Sequence, residues 1–135
     1  MNLGIAGKRA LVCGASAGLG LACAQALAAE GVSLVMVART ESRLQQAADE
    51  WRPPHSGTAV HVVAADVTQA AGRARIFESF PDFDIVITNA GGPPPGDFRN
   101  WDREAWLAAI DANMLAPIEL IKATVDGMMA RGWGR

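Results

Sequence analysis

The chain has 135 residues, 50% of them hydrophobic and 19% charged, which is enough apolar material for one packed domain and too much for a disordered tail. Its 12 Lys and Arg residues stand against 14 Asp and Glu residues without charge blocks, so nothing draws the whole molecule to nucleic acid or to an anionic membrane. Any anion site must be local.

Lys8 to Cys13 is a short apolar run ending at a glycine, and Leu19 to Glu30 follows as an alanine-rich helical stretch closed by Gly31. Leu34 to Ala38 is a second, valine-rich run, and Glu41 to Trp51 has helix-forming composition until Pro53 and Pro54 stop it. Ala59 to Ala65 reads as a third strand. Thr68 is placed to cap a helix over Gln69 to Ser79, and Phe83 to Thr88 gives a fourth strand. Apolar strands without polar alternation, separated by helices, predict an α/β fold with a parallel sheet covered on both faces and right-handed crossovers. After the glycine- and proline-rich segment Gly91 to Gly96 comes the longest helical pattern, about Asp102 to Ala130. Trp106, Ile110, Met114, Ile118, Ile121, Val125 and Met128 recur along it at three- and four-residue steps, giving one broad apolar face. Pro117 is expected to kink it. The ending Gly132-Trp133-Gly134-Arg135 reads as the approach to a further strand.

Cys13 and Cys23 fit neither a disulfide framework nor zinc-ligand spacing, so buried thiols in a reducing cytoplasm and no metal site are expected. Met1 to Arg9 has no apolar signal core, and no run approaches the roughly 20 residues of a membrane helix. His55 and His61 have no triad partners at a suggestive spacing and read as surface histidines. The four tryptophans, Trp51, Trp101, Trp106 and Trp133, read as packing or interface anchors, since no basic groove accompanies them.

The chemistry-bearing motif is Gly14-Ala15-Ser16-Ala17-Gly18-Leu19-Gly20, between the first strand and the first helix, where a phosphate-binding turn has to be. Glycine near the strand end permits a tight turn, the middle glycine lets the backbone approach a pyrophosphate, and the last lets the helix pack closely on the sheet. Helix-start N–H groups then face the anion. A purely structural strand-to-helix turn would use the same letters.

The spacing GxxxGxG resembles the short-chain dehydrogenase/reductase family, in which a threonine usually stands where Cys13 is. Three further matches fall in order along the chain. Asp66-Val67, at the end of the third strand, resembles the family pair whose aspartate accepts from the adenine amino group while the next backbone positions the ring; a helix-cap or turn aspartate is the alternative. Thr88-Asn89-Ala90-Gly91 resembles the Asn-Asn-Ala-Gly signature, in which Asn89 would tie adjoining backbone together beside the cofactor. Asn113 resembles the asparagine of the catalytic tetrad, which distorts its helix and helps hold a proton-relay water; a locally bonded mid-helix asparagine is the alternative.

The resemblance implies a Rossmann-type doubly wound sheet, of which the first half, with strand order 3-2-1-4, lies in this chain as one dinucleotide-binding domain over residues 1–135, incomplete at its C-terminus. It also implies a cofactor. An NAD enzyme of this type carries a carboxylate at the end of the second strand, whereas Ala38 stands here, followed by Arg39 and Thr40, which suit a 2′-phosphate. NADP(H) is therefore expected, although Arg39 could equally be a solvated turn residue, and Ala17 supplies no second basic group inside the glycine loop. The family's relay uses serine, tyrosine and lysine beside the asparagine. This chain contains no tyrosine, so only Asn113 of the tetrad is matched and the 135 residues alone are expected to be inactive.

The expected parent activity is hydride transfer between nicotinamide and a small carbonyl or secondary-alcohol substrate, with Gly92 to Gly96 bordering the active site; a stiff proline spacer with no role is the alternative. A non-catalytic nucleotide-binding module is the rival reading, and a non-binding structural fragment is a third. The fourth strand is expected to leave an unpaired edge, and the long helix an apolar face resembling the family's dimer contact, so a homodimer or homotetramer is expected.

Overall fold

The computed structural model describes residues 3–50 and 58–135. Strand β1 (Arg9–Cys13) is followed by α1 (Gly18–Ala29), β2 (Ser33–Ala38), α2 (Glu41–Glu50), β3 (Val60–Ala64), α3 (Ala70–Ser79) and β4 (Ile85–Ile87). All strand pairs are parallel and the sheet order is β3-β2-β1-β4. This is the doubly wound arrangement that the alternation of apolar runs and helices predicts.

The strands lack polar alternation because both faces of the sheet are covered. Ala10, Val12, Leu34 and Met36 point to one side, where Ala24 and Ala28 of α1 and Leu44 and Ala47 of α2 meet them. Leu11, Cys13, Val35 and Val37 point to the other, against Ile76 of α3 and Leu120 further along the chain. Fully burying one such side chain contributes about 1.5–3 kcal/mol, so the sheet's two faces dominate the stability of the fold.

Several boundaries differ from expectation. The fourth strand is shorter; α2 is described as far as Glu50, and Trp51, Pro53, Pro54 and His55 lie outside the described residues. Thr68 does not cap α3. Its hydroxyl and its N–H both bond Asp66 Oδ1, at 2.7 and 3.0 Å, and Gln69 takes the cap position without a side-chain bond. A two-residue Asx turn thus outcompetes the cap for the same hydroxyl.

The long helix is three pieces: α4 (Arg103–Ile110), a π-helical turn over Asp111–Leu115, and α5 (Ala116–Ala130). Pro117 lies in the first turn of α5, where its absent N–H is least costly, and the irregularity precedes it. The inward face of α5 is Ala116, Leu120 and Thr124, whereas Trp106, Ile110, Met114, Ile118, Ile121 and Val125 are exposed.

The expected open edge of β4 is also corrected. After α5 the chain turns at Gly132, and Arg135 runs beside β4, its N–H bonding Asp84 O and its carbonyl accepting from Val86 N–H, both at 2.9 Å. Trp133 anchors this return between Lys8 and Arg135, with cations 4.6 and 5.2 Å from its ring. Among the described residues no helix is long and apolar enough to cross a membrane.

Candidate functional site

In a parallel sheet every strand ends on the same edge, so the segments after β1, β2, β3 and β4 converge there. They form one cavity of about 740 Å³. Gly14 and Ser16 reach it from the first turn, Ala38, Arg39 and Thr40 from the second, Asp66 and Val67 from the third, and Asn89, Ala90 and Gly91 from the fourth. Nine of the fourteen residues singled out from the sequence (Gly14, Ser16, Arg39, Thr40, Asp66, Val67, Asn89, Ala90 and Gly91) therefore line a single space.

Ala17, Gly18, Leu19 and Gly20 do not line it; they form the turn and opening of α1, with the Leu19 side chain 78% exposed. Ala17 is extended at the N-cap and has no side-chain oxygen to offer, so the first N–H groups of this 12-residue helix receive no side-chain cap. Gly18 has φ +56°, and a Cβ built on it would meet nothing within 4 Å. Gly20 is the opposite case: a Cβ there would collide with the Gly14 carbonyl oxygen, which is the close helix-on-turn approach its position predicts.

Asn89 lies against Gly14 and donates from Nδ2 to Cys13 O at 3.5 Å, bridging the ends of β4 and β1. Burial of the Cys13 thiol pushes its pKa from 9.0 up to about 12, so it stays neutral and is no nucleophile. Asp66 Oδ1 is committed to the Thr68 turn, leaving Oδ2 without a partner among the described residues. Arg73 holds that turn from below, donating to Val67 O at 2.8 Å and Thr68 O at 3.0 Å.

Asn113 sits within the π-helical turn and does not line the cavity. Its Nδ2 donates to Ala109 O at 3.0 Å and to Gly91 O at 3.4 Å, linking the irregular helix to the segment after β4. A π turn accommodates one extra residue per turn and frees backbone groups, which is where such an asparagine can act.

Several lining residues were not singled out from the sequence. Ala105, Ala108, Ala109 and Ala112 of the α4 side close the cavity. Their helical spacing was visible, but alanines carry no chemical label and the larger residues on the opposite stripe dominate the pattern. Arg43 also lines the cavity, one helical turn beyond Arg39. Pro93 and Pro94 stand at its border, as their position after β4 suggests. Among the described residues no group of three or more His, Cys, Asp or Glu side chains could hold a metal ion.

The sheet order and the convergent turns define a Rossmann-type α/β protein with a ligand crevice at the carboxyl edge of its strands. Its sequence matches the short chain dehydrogenase family over residues 8–135, and the chain belongs to that family. It is 34% identical over 135 residues to the 3-oxoacyl-acyl-carrier-protein reductase FabG of Vibrio cholerae, covering 100% of this chain and 54% of that protein. It is 31% identical over 132 residues to an L-xylulose reductase of Mesocricetus auratus, covering 98% of this chain and 52% of that one. The crystal structure of L-sorbose reductase from Gluconobacter frateurii, complexed with NADPH and L-sorbose, superposes with a TM-score of 0.89 at 36% identity over 99% of this chain and 52% of that one. The chain thus spans about half the length of the relatives it matches.

Proposed function

We propose that these residues form the cofactor-holding domain of an NADP(H)-dependent reductase that interconverts a small carbonyl compound and its secondary alcohol. The observation that carries the reading is the cavity wall at the end of β2, where Ala38 is followed by Arg39 and Thr40 and no carboxylate occupies the position. A carboxylate there would bond a free ribose diol and repel a phosphate, whereas a guanidinium and a hydroxyl suit a 2′-phosphate.

The other walls and the turn that opens α1 beside them fit the same ligand. The uncapped start of α1 and the open space over Gly18 suit a pyrophosphate, and Asp66 Oδ2 and the Val67 backbone suit an adenine edge. Asn89 and Gly91 border the nicotinamide side, with Asn113 behind Gly91 as the group that would hold a relay water. When bound, the nicotinamide supplies hydride chemistry, while these residues bind and orient it. The NADPH and L-sorbose held by the structural neighbour support the cofactor and the substrate class.

The chain has no tyrosine, so its own residues are assigned the binding and orientation of the cofactor rather than proton transfer to the substrate oxygen. The same observation favours a second reading, a nucleotide-binding module without turnover. The intact mass of the protein purified from its source separates them, since a mass equal to these 135 residues favours the module. Free Cys13 and Cys23 support a reducing, cytoplasmic setting. The exposed stripe on α4 and α5 supports a homodimer or homotetramer.

The test of the cofactor is a fluorescence titration of the protein with NADPH and NADH. NADPH is expected to bind more tightly, and Arg39→Ala to remove most of the difference. Equal affinities in the unmutated protein would overturn the assignment.

A further inference from the structure

Arg39 is not the only cation at the end of β2. The N–H of Leu44 bonds Thr40 O at 3.1 Å, so α2 begins its first turn immediately after Arg39, and Arg43 stands one turn further along on the same cavity. Two like charges at this spacing repel, and a helix ordinarily relieves such a pair with an acid three or four residues away. None is there. The residues three and four beyond Arg43 are Gln46 and Ala47. The acids further along α2 are engaged elsewhere, Asp49 by Gln45 at 2.9 Å and Glu50 by Gln46 at 2.6 Å. Among the described residues neither Arg39 nor Arg43 forms a salt bridge.

The acids that line the cavity do not relieve the pair either. Asp66 is tied by Oδ1 into the turn with Thr68, and Asp111 belongs to the π-helical turn and pairs with neither arginine. Glu41 lies between the two arginines in sequence, but it is exposed, does not line the cavity and pairs with neither. Arg39, Thr40 and Arg43 thus line the cavity together with Val37 and Ala38. One dianionic group between the two arginines would satisfy both, and a phosphate monoester offers three oxygens to two planar forks.

We propose that Arg43 is a second phosphate-binding residue, which with Arg39 and Thr40 makes a two-arginine site for the terminal 2′-phosphate of the dinucleotide and sets the preference for NADP(H) over NAD(H). This rests on the reading that the cavity takes a dinucleotide. It also supplies the second cation that Ala17 does not provide from the glycine loop. Arg43 lies on an outward face of α2, outside both apolar clusters, so its replacement leaves the core untouched.

The experiment is calorimetric titration of the full protein with adenosine 2′,5′-bisphosphate and with AMP, which differ in the 2′-phosphate. Arg43→Ala should weaken the bisphosphate roughly tenfold, leave AMP unchanged, and flatten the salt dependence of bisphosphate binding. Arg43→Lys should recover part of the loss, because it restores charge without the planar fork. An Arg43→Ala protein that keeps its full preference for the bisphosphate would overturn the proposal while leaving the dinucleotide reading intact. Equal weakening of both nucleotides would overturn it as well, since that is the mark of general damage to α2. An unmutated protein that does not distinguish the two would overturn the dinucleotide reading and this proposal with it.

Discussion

Gly18 and Gly20 show how two residues of one motif are fixed by different constraints. At Gly18 the constraint is conformational, a φ of +56° with open space where a side chain would go. At Gly20 it is steric, because the Gly14 carbonyl occupies the position of a Cβ. Gly18→Val is therefore expected to leave the fold in place at a cost of about 1–3 kcal/mol of backbone strain, and to abolish NADPH binding by filling the pyrophosphate's approach. A urea titration alongside NADPH fluorescence checks both parts, and undiminished affinity would make the turn purely structural. The glycine spacing was legible in the sequence because each letter answers a backbone requirement. Arg43 was not, since an arginine in a helix's first turn is commonplace until the fold sets it beside Arg39 on the cavity.

Among the elements, the helix after the proline-rich segment departs furthest from its sequence pattern. The three- and four-residue recurrence from Trp106 to Met128 predicts a single helix with a kink at Pro117, whereas the chain widens into a π turn at Asp111–Leu115 and Pro117 opens the next helix. Hydrophobic periodicity averages over such a turn and cannot reveal one extra residue. Asn113 holds the site of the irregularity through Ala109 O and Gly91 O. Asn113→Ala is expected to lower stability by about 0.5–1.5 kcal/mol and to loosen the segment after β4. Denaturant unfolding measures the first and amide hydrogen exchange at Gly91 and Gly92 the second; protection unchanged at both glycines would show that the link carries no load. The Thr68 cap that the sequence suggests does not form for a related reason, because a threonine before a helix suits a cap and an Asx turn equally until Asp66 is placed.

At the scale of the molecule, α5 buries three residues, while α4 and α5 leave most of their large side chains outside. Ala116, Leu120 and Thr124 face the sheet, while Ile118, Ile121, Met114 and Met129 remain 42%, 51%, 55% and 73% exposed. A continuous apolar stripe of this kind calls for burial against another surface. With a symmetric partner as the proposed occupant, Ile121→Glu is expected to shift the protein to a smaller species, read by sedimentation velocity, with the NADPH affinity retained. A monomeric unmutated protein that stays soluble would count against self-association through this face. The edge of β4 offers less than expected for such association, since Arg135 already engages Asp84 and Val86.

The sequence by itself determined the order of strands and helices, the covered sheet, the glycine turn and the cation at the end of β2. Each of these follows from local requirements: apolar runs too short for helices, glycines where backbone must approach closely, a cation where a carboxylate would otherwise stand. Tertiary structure decided the remainder. It joined four distant turns into one cavity, chose the alanine stripe of α4 as its wall, set Asn113 behind Gly91, and brought Arg135 back beside β4. These are relations between segments far apart in the chain, and they exist only once burial of both sheet faces has fixed where each segment ends.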